Sequence, residues 1–238
     1  MVKHLCELGI SYLRKNFKMI NEKESGKFIA MEGLDGCGKS THIPWMKKYI
    51  EDNFNSKVIT TREPGGTGVE VSEKIREILL NYEMSPVAQI ALFAASRIEH
   101  IEKLIKPELE LCNTVITDRF IYSNYAYQGA GYGDLTLLNK VNIINSACGC
   151  NETRPDVVFL FDIPAEVAAA RVSNRSDSTN VKLDTFEKKD FTFFNNVRNQ
   201  YLEIAKYIPK MFCVLDGTKT IDELKIKIAD RLDKLYIQ

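Results

Sequence analysis

The chain of 238 residues carries 32 Lys plus Arg against 32 Asp plus Glu, so no overall basic field exists to hold a nucleic-acid backbone and a small-molecule partner is expected. Its length suits one well-packed α/β domain without a Pro/Gly/Ser-rich linker, and its longest apolar runs, Ile90 to Ala95 and Val157 to Phe161, fall far short of the roughly 20 residues a membrane helix needs. The scattered cysteines and His4, His42 and His100 lack metal-ligand spacing, which argues against a zinc module and for reduced thiols in a soluble, cytoplasmic protein.

Residues 1–26 read as an N-terminal extension, with an amphipathic stretch from Leu5 to Leu13 and basic Arg14, Lys15 and Lys18. A targeting segment is one reading; an unstructured tail, or an upstream start with Met19 as the true first residue, is favoured because Glu7 interrupts the stretch and no signal-peptide core is present. The domain is expected over 27–238. Lys27 to Glu32 forms a short buried strand, and Gly33-Leu34-Asp35-Gly36-Cys37-Gly38-Lys39-Ser40 fills every fixed position of G-x-x-x-x-G-K-[ST] before a helix from Thr41 to Phe54. In such a loop the glycines let backbone N–H groups approach a nucleotide's phosphates, Lys39 reaches the β- and γ-phosphates, and the Ser40 hydroxyl sits on Mg²⁺. ATP or GTP is the expected ligand. Cys37 occupies a free position of the pattern, and Pro44 lies deeper in the helix than proline prefers.

Further along, Lys57 to Thr61 predicts a second strand, Pro64-Gly65-Gly66 a turn, and Val69 to Leu80 a helix. The next helix is expected from Val87 to about Ile105, stopped by Pro107. Thr114 to Asp118 is a buried strand whose carboxylate falls at its C-terminal end, the ligand edge of an open α/β sheet. Val157 to Phe161 and Met211 to Leu215 supply two more strands, with helices starting near Ala165 and Thr220. This alternation predicts a mostly parallel sheet covered on both faces. The polar stretch Ser173 to Lys182 has almost nothing to bury and reads as a mobile loop, either a lid or a surface excursion.

A GTPase would need Asn-Lys-x-Asp to read guanine, and Asn139-Lys140-Val141-Asn142 lacks the aspartate. Instead Arg62, Arg97 and Arg119 fall near the ligand edge, a set of guanidinium forks suited to a second, phosphate-bearing substrate. Thr61-Arg62-Glu63-Pro64-Gly65-Gly66-Thr67, Leu92 to His100, and Asp118-Arg119-Phe120 followed by Ser123 to Gly129 closely resemble, in order, the signatures of bacterial-type thymidylate kinases. With Gly33 to Thr41 and Pro155-Asp156 to Glu166, the resemblance covers residues 27 to 238.

The resemblance implies a P-loop NTPase fold with a five-stranded, mostly parallel sheet and a short lid at about 171–186, in a homodimer that passes the γ-phosphoryl of ATP to dTMP. It implies ATP contacts from Gly33, Leu34, Asp35, Gly36, Cys37, Gly38, Lys39, Ser40 and Thr41. Phe93 would stack on thymine, although core packing on an apolar helix face is the plainer reading of that residue. Arg97 would bond the base's exocyclic oxygen and Arg119 the dTMP phosphate, while Asp35 approaches the sugar 3′-hydroxyl. Ser123 and Asn124 would read the pyrimidine edge, Tyr127 would crowd the sugar 2′ position, and Arg62, Glu63, Pro64 and Gln128 complete the dTMP set, with a cis Glu63–Pro64 peptide entertained. Asp118 would meet Mg²⁺ through water or hold Arg119 or Ser40 by hydrogen bonding. The lid departs from the family: Arg171 and Arg175 are present, but Asp184-Thr185 stands where Asp-Arg is usual, leaving Arg175, with Lys182 as substitute, to neutralise the transferred phosphoryl. Competing readings are a kinase of UMP/CMP or of an unphosphorylated deoxynucleoside, and a non-catalytic ATP-binding module.

Overall fold

A computed structural model describes residues 26–179, 185–187 and 189–237, the side chains of 175–179 excepted. The strands β1 (Phe28–Gly33), β2 (Val58–Arg62), β3 (Thr114–Asp118), β4 (Val157–Asp162) and β5 (Phe212–Asp216) pair in the order β2-β3-β1-β4-β5, every pair parallel. Strand β1 is buried along its whole length, as a central strand covered on both faces must be. The register aligns Met31 and Arg62 with Asp118, and Gly33 with Phe161. The C-terminal strand ends therefore form one edge, and the chain switches sides of the sheet beside β1, where α/β ligands bind.

Helix α1 (Lys39–Phe54) contains Pro44. Helix α2 (Glu70–Asn81) is followed by α3 (Pro86–His100), which starts on Ser85: the Ser85 side chain accepts the Ala88 N–H, with proline at the first helical position. The expected stop at Pro107 is not found. The backbone continues through a π-helical turn, Ile101–Ile105, into α4 (Lys106–Glu110). The widened turn lies where proline's missing N–H and ring would disturb an α-helical ladder, so the chain absorbs Pro107 instead of ending.

After β3 comes α5 (Ile121–Asn124), extended by a π-helical stretch at Tyr125–Gly131, and then α6 (Thr136–Ala147). Helix α7 (Ala165–Thr179) corrects the loop reading of residues 173–179. That segment holds neither Gly nor Pro, so nothing in it breaks the backbone ladder. Helices α8 (Phe191–Tyr207) and α9 (Ile221–Tyr236) complete the fold. Thr220 and Glu223 close a reciprocal capping box at the start of α9. The extension expected at 1–26 lies outside the described residues except Gly26, as do Lys182 and Asp184. Among the described residues no helix is long and apolar enough to cross a membrane.

Candidate active site

At the sheet's C-terminal edge the chain encloses a cavity of about 490 Å³ that runs from the glycine-rich loop to Phe93 and Gln128. The loop's shape follows from its glycines. Gly33 has φ 140°, and a Cβ there would lie 2.5 Å from the Phe161 carbonyl oxygen. Gly38 has open space around it, but its φ of 96° is one that other residues resist. Lys39 is buried and donates to the carbonyls of Gly33 (3.2 Å) and Leu34 (3.0 Å), with Cys37 Sγ at 3.6 Å. Leu34 and Cys37 turn their side chains into the core, leaving only their backbone for a phosphate. Ser40 and Thr41 are exposed on the cavity, with Gly36 beside them. The Ser40 hydroxyl donates to Asp118 Oδ2 at 2.7 Å, while Asp118 Oδ1 is buried with no hydrogen-bond partner among the described residues.

Arg119 leaves β3 with φ 70°, its N–H donating to the Met31 carbonyl. That turn returns the guanidinium over the loop: Nη1 donates to Gly33 O, Ser123 Oγ and Tyr201 Oη, and Nη2 to Asp35 Oδ1 (2.7 Å) and Tyr127 Oη (3.0 Å). Burial opposes charge on Asp35, yet the Arg119 guanidinium and Lys39 outweigh it and bring the carboxyl down to about 2. Beneath this cluster Glu32 is fully buried and accepts from the N–H groups of Phe120 and Ser123, the Ser123 hydroxyl (2.6 Å) and the Tyr201 hydroxyl (2.8 Å). Burial pushes the Glu32 carboxyl up, against hydrogen bonding from Ser123 and the charge of Arg119. The two hydroxyls thus link Glu32 to Arg119, and Tyr201 brings α8 into the site.

The opposite wall rests on Arg97, only 1% exposed. Its Nε donates to Glu63 Oε2 (2.9 Å) and its Nη1 to Asn145 Oδ1 (2.7 Å). Glu63 Oε1 meets His100 Nδ1 at 3.1 Å, and His100 Nε2 meets Thr61 Oγ1 at 2.9 Å. From Asn145 the bonds continue through Asn124 Oδ1, then from Asn124 Nδ2 to Gln128 Oε1, both at 3.0 Å. The arrangement shows how two of the expected residues are held. The Glu63 carboxylate pairs with Arg97 and His100 and so orients the guanidinium, and Glu63 itself lines the cavity. Asn124 is 1% exposed and lies behind the cavity wall, because its amide is taken up by Asn145 and Gln128; Gln128 itself lines the cavity.

Arg62 also lines the cavity and is paired with Glu73 at 2.7 Å, and the Glu63–Pro64 peptide is cis. Phe93, Tyr127 and Phe186 form an aromatic corner, with Phe93–Phe186 centroids 5.9 Å apart. On the loop side Arg171 donates to the carbonyls of Gly36 (3.3 Å) and Gly217 (3.2 Å), joining the phosphate loop to the turn after β5. The Arg175 side chain lies outside the described residues. Sequence reasoning missed Glu32, Arg76, Asn145, Phe186 and Tyr201. Glu32 alone left a signal, a carboxylate ending an otherwise apolar strand.

A phosphate loop followed by β3's carboxylate and faced by a second cluster of guanidinium groups defines a P-loop phosphotransferase with room for a donor and an acceptor nucleotide. A family model described as thymidylate kinase matches residues 31–228. Among curated relatives, the thymidylate kinase of Cupriavidus metallidurans is 38% identical over 205 residues, covering 86% of this chain and 96% of its own. Those of Fervidobacterium nodosum and Thermosipho melanesiensis are each 40% identical, over 204 and 209 residues, covering 85% and 87% of this chain and 96% and 98% of theirs. The chain belongs to the thymidylate kinase family, and it is a kinase.

Proposed function

We propose that the two ends of the cleft divide the thymidylate kinase reaction, in which the γ-phosphoryl of ATP passes to dTMP to give dTDP and ADP. ATP would lie on the loop from Gly33 to Thr41, its phosphates meeting backbone N–H groups, the N-terminus of α1, Lys39 and Arg171. The dTMP base would rest against Phe93 near Arg97 and Gln128, its sugar by Tyr127 and its phosphate toward Arg119 and Arg62. The observation that carries this reading is the separation of cations along one cavity. Lys39 is on the loop, Arg119 bridges the middle through Asp35, and Arg97 is held on the far wall.

An acceptor phosphate is already ionised near neutral pH, so no strong general base is required; the chemistry needs alignment and charge neutralisation. Lys39 can exchange its carbonyl acceptors for phosphate oxygens by a small swing, gaining charge-assisted bonds. Asp35 stays ionised and fixes both Arg119 and the Tyr127 hydroxyl, which sets the acceptor phosphate in line with the donor.

The residues fit Mg²⁺: the Ser40 hydroxyl would hold it directly and Asp118 through water, the unpartnered Oδ1 being an acceptor ready for such a water. When bound, the ion neutralises charge on the β- and γ-phosphates. Family pattern further supports a cytoplasmic homodimer, checked by the molar mass in solution.

The test is ADP release with ATP and Mg²⁺ against dTMP, dUMP, UMP, CMP, AMP, GMP and thymidine. Preference for dTMP, lost on chelation, is expected. Equal use of UMP would remove Phe93, Arg97 and Gln128 from their assigned roles, and equal use of thymidine would remove Arg119 and Arg62 from theirs.

A further inference from the structure

Thr185 follows Asp184 in the stretch expected to form the lid, and it offers a hydroxyl and no charge. Its contacts give it a structural task. Helix α2 ends at Asn81, and the carbonyls of its last turn have no partner inside the helix. The Thr185 hydroxyl donates to the Leu79 carbonyl at 3.1 Å, and the Thr185 N–H to the Leu80 carbonyl at 3.4 Å. One residue thus ties this segment to the end of a helix whose Arg76 and Leu80 line the cavity.

The next residue is delivered into the cleft. Phe186 is 6% exposed, lines the cavity, and lies 5.9 Å from Phe93 and 6.3 Å from Tyr127, centroid to centroid. Phe93 and Phe186 touch each other, so a planar base sits against the corner they form and not between them. Edge and face contacts of this kind favour a flat, apolar ring.

We propose that Phe186 is a substrate-contacting residue of the acceptor site, the second wall of the thymine corner, and that Thr185 is the positioning residue that pins it by capping α2. The inference rests on the assignment of the Phe93 end of the cleft to dTMP.

Steady-state kinetics of the full chain with ATP, dTMP and Mg²⁺ tests it. Phe186→Ala should raise KM for dTMP roughly tenfold, the loss of one aromatic contact, with KM for ATP within about twofold. Phe186→Leu, which keeps apolar volume and so guards against misfolding, should raise KM for dTMP by about threefold. Thr185→Val should raise KM for dTMP by about threefold, while Thr185→Ser, which keeps the hydroxyl, should match the parent. An unchanged KM for dTMP in both Phe186 variants, or equal rises in both KM values, overturns the proposal. Phe93→Ala separates the two levels: if it also leaves KM for dTMP unchanged, the acceptor assignment itself fails, whereas a rise there with no effect at Phe186 defeats this inference alone.

Discussion

The cations at the two ends of the cleft have different partners. Arg62, Arg97 and Arg119 each face a carboxylate, from Glu73, Glu63 and Asp35 respectively. Lys39 and Arg171 instead donate to neutral backbone carbonyls, those of Gly33 and Leu34 and of Gly36 and Gly217. A guanidinium bonded to a carboxylate is oriented before any ligand arrives, most firmly at the buried Arg97–Glu63 pair, but its charge is balanced. It recognises by direction. A cation held by carbonyls keeps its charge and gains by moving to a phosphate oxygen. The acceptor end is therefore built for orientation, and the donor end for charge neutralisation.

The contrast ranks the expected effects. Lys39→Ala should lower kcat roughly 10³-fold, the scale of losing a buried cation that stabilises developing charge, with the fold intact by circular dichroism. Retained turnover would show that the donor end does not depend on it. Arg97→Ala should lower kcat/KM for dTMP by roughly 10² while ATP use is nearly unchanged. Asn145→Ala touches no ligand in this account, yet it removes the Nη1 partner of Arg97 and the bond to Asn124. KM for dTMP should rise roughly tenfold at near-constant kcat, and a fall in kcat alone would break the proposed chain of positioning.

Much of the donor end was legible in the sequence because short-range geometry dictates it. The spacing of Gly33, Gly36, Gly38 and Lys39 specifies a loop with its own backbone conformation, and β-branched, apolar runs such as Thr114 to Ile116 specify buried strands. The acceptor end depends on contacts between distant segments. Nothing local to Glu63 says that its carboxylate turns toward α3, or that Asn145 on α6 completes the fork of Arg97. The resemblance implied Asn124 as a base contact, but its amide bonds Asn145 on α6 and Gln128, a pairing that nothing local to Asn124 signals. Two element boundaries eluded the reading for simpler reasons. A π-helical turn has no strong residue signature at Pro107, and a polar sequence such as Ser173 to Thr179 in α7 carries no apolar stripe to announce a helix.

The smallest expected effect concerns pH and the carboxylates on either side of Arg119. Asp35 is held near 2, so its stabilising contribution is present above 3.8, its ordinary value, and is lost as pH falls toward about 2. Glu32 is shifted the other way, chiefly by burial, so the folded state retains its proton more readily than the unfolded chain and this group's contribution declines as pH rises above 4.5. Thermal melts from pH 5 to 8 should show Glu32→Gln gaining on the parent as pH rises. A constant difference across that range would remove Glu32 from the linkage.

The division between the two ends is tested most directly by titrating ATP and dTMP separately into Arg97→Ala and Arg171→Ala by calorimetry. The account expects a double dissociation: Arg97→Ala loses dTMP affinity and keeps that for ATP within about twofold, and Arg171→Ala does the reverse. Equal loss of both nucleotides in either variant would contradict it.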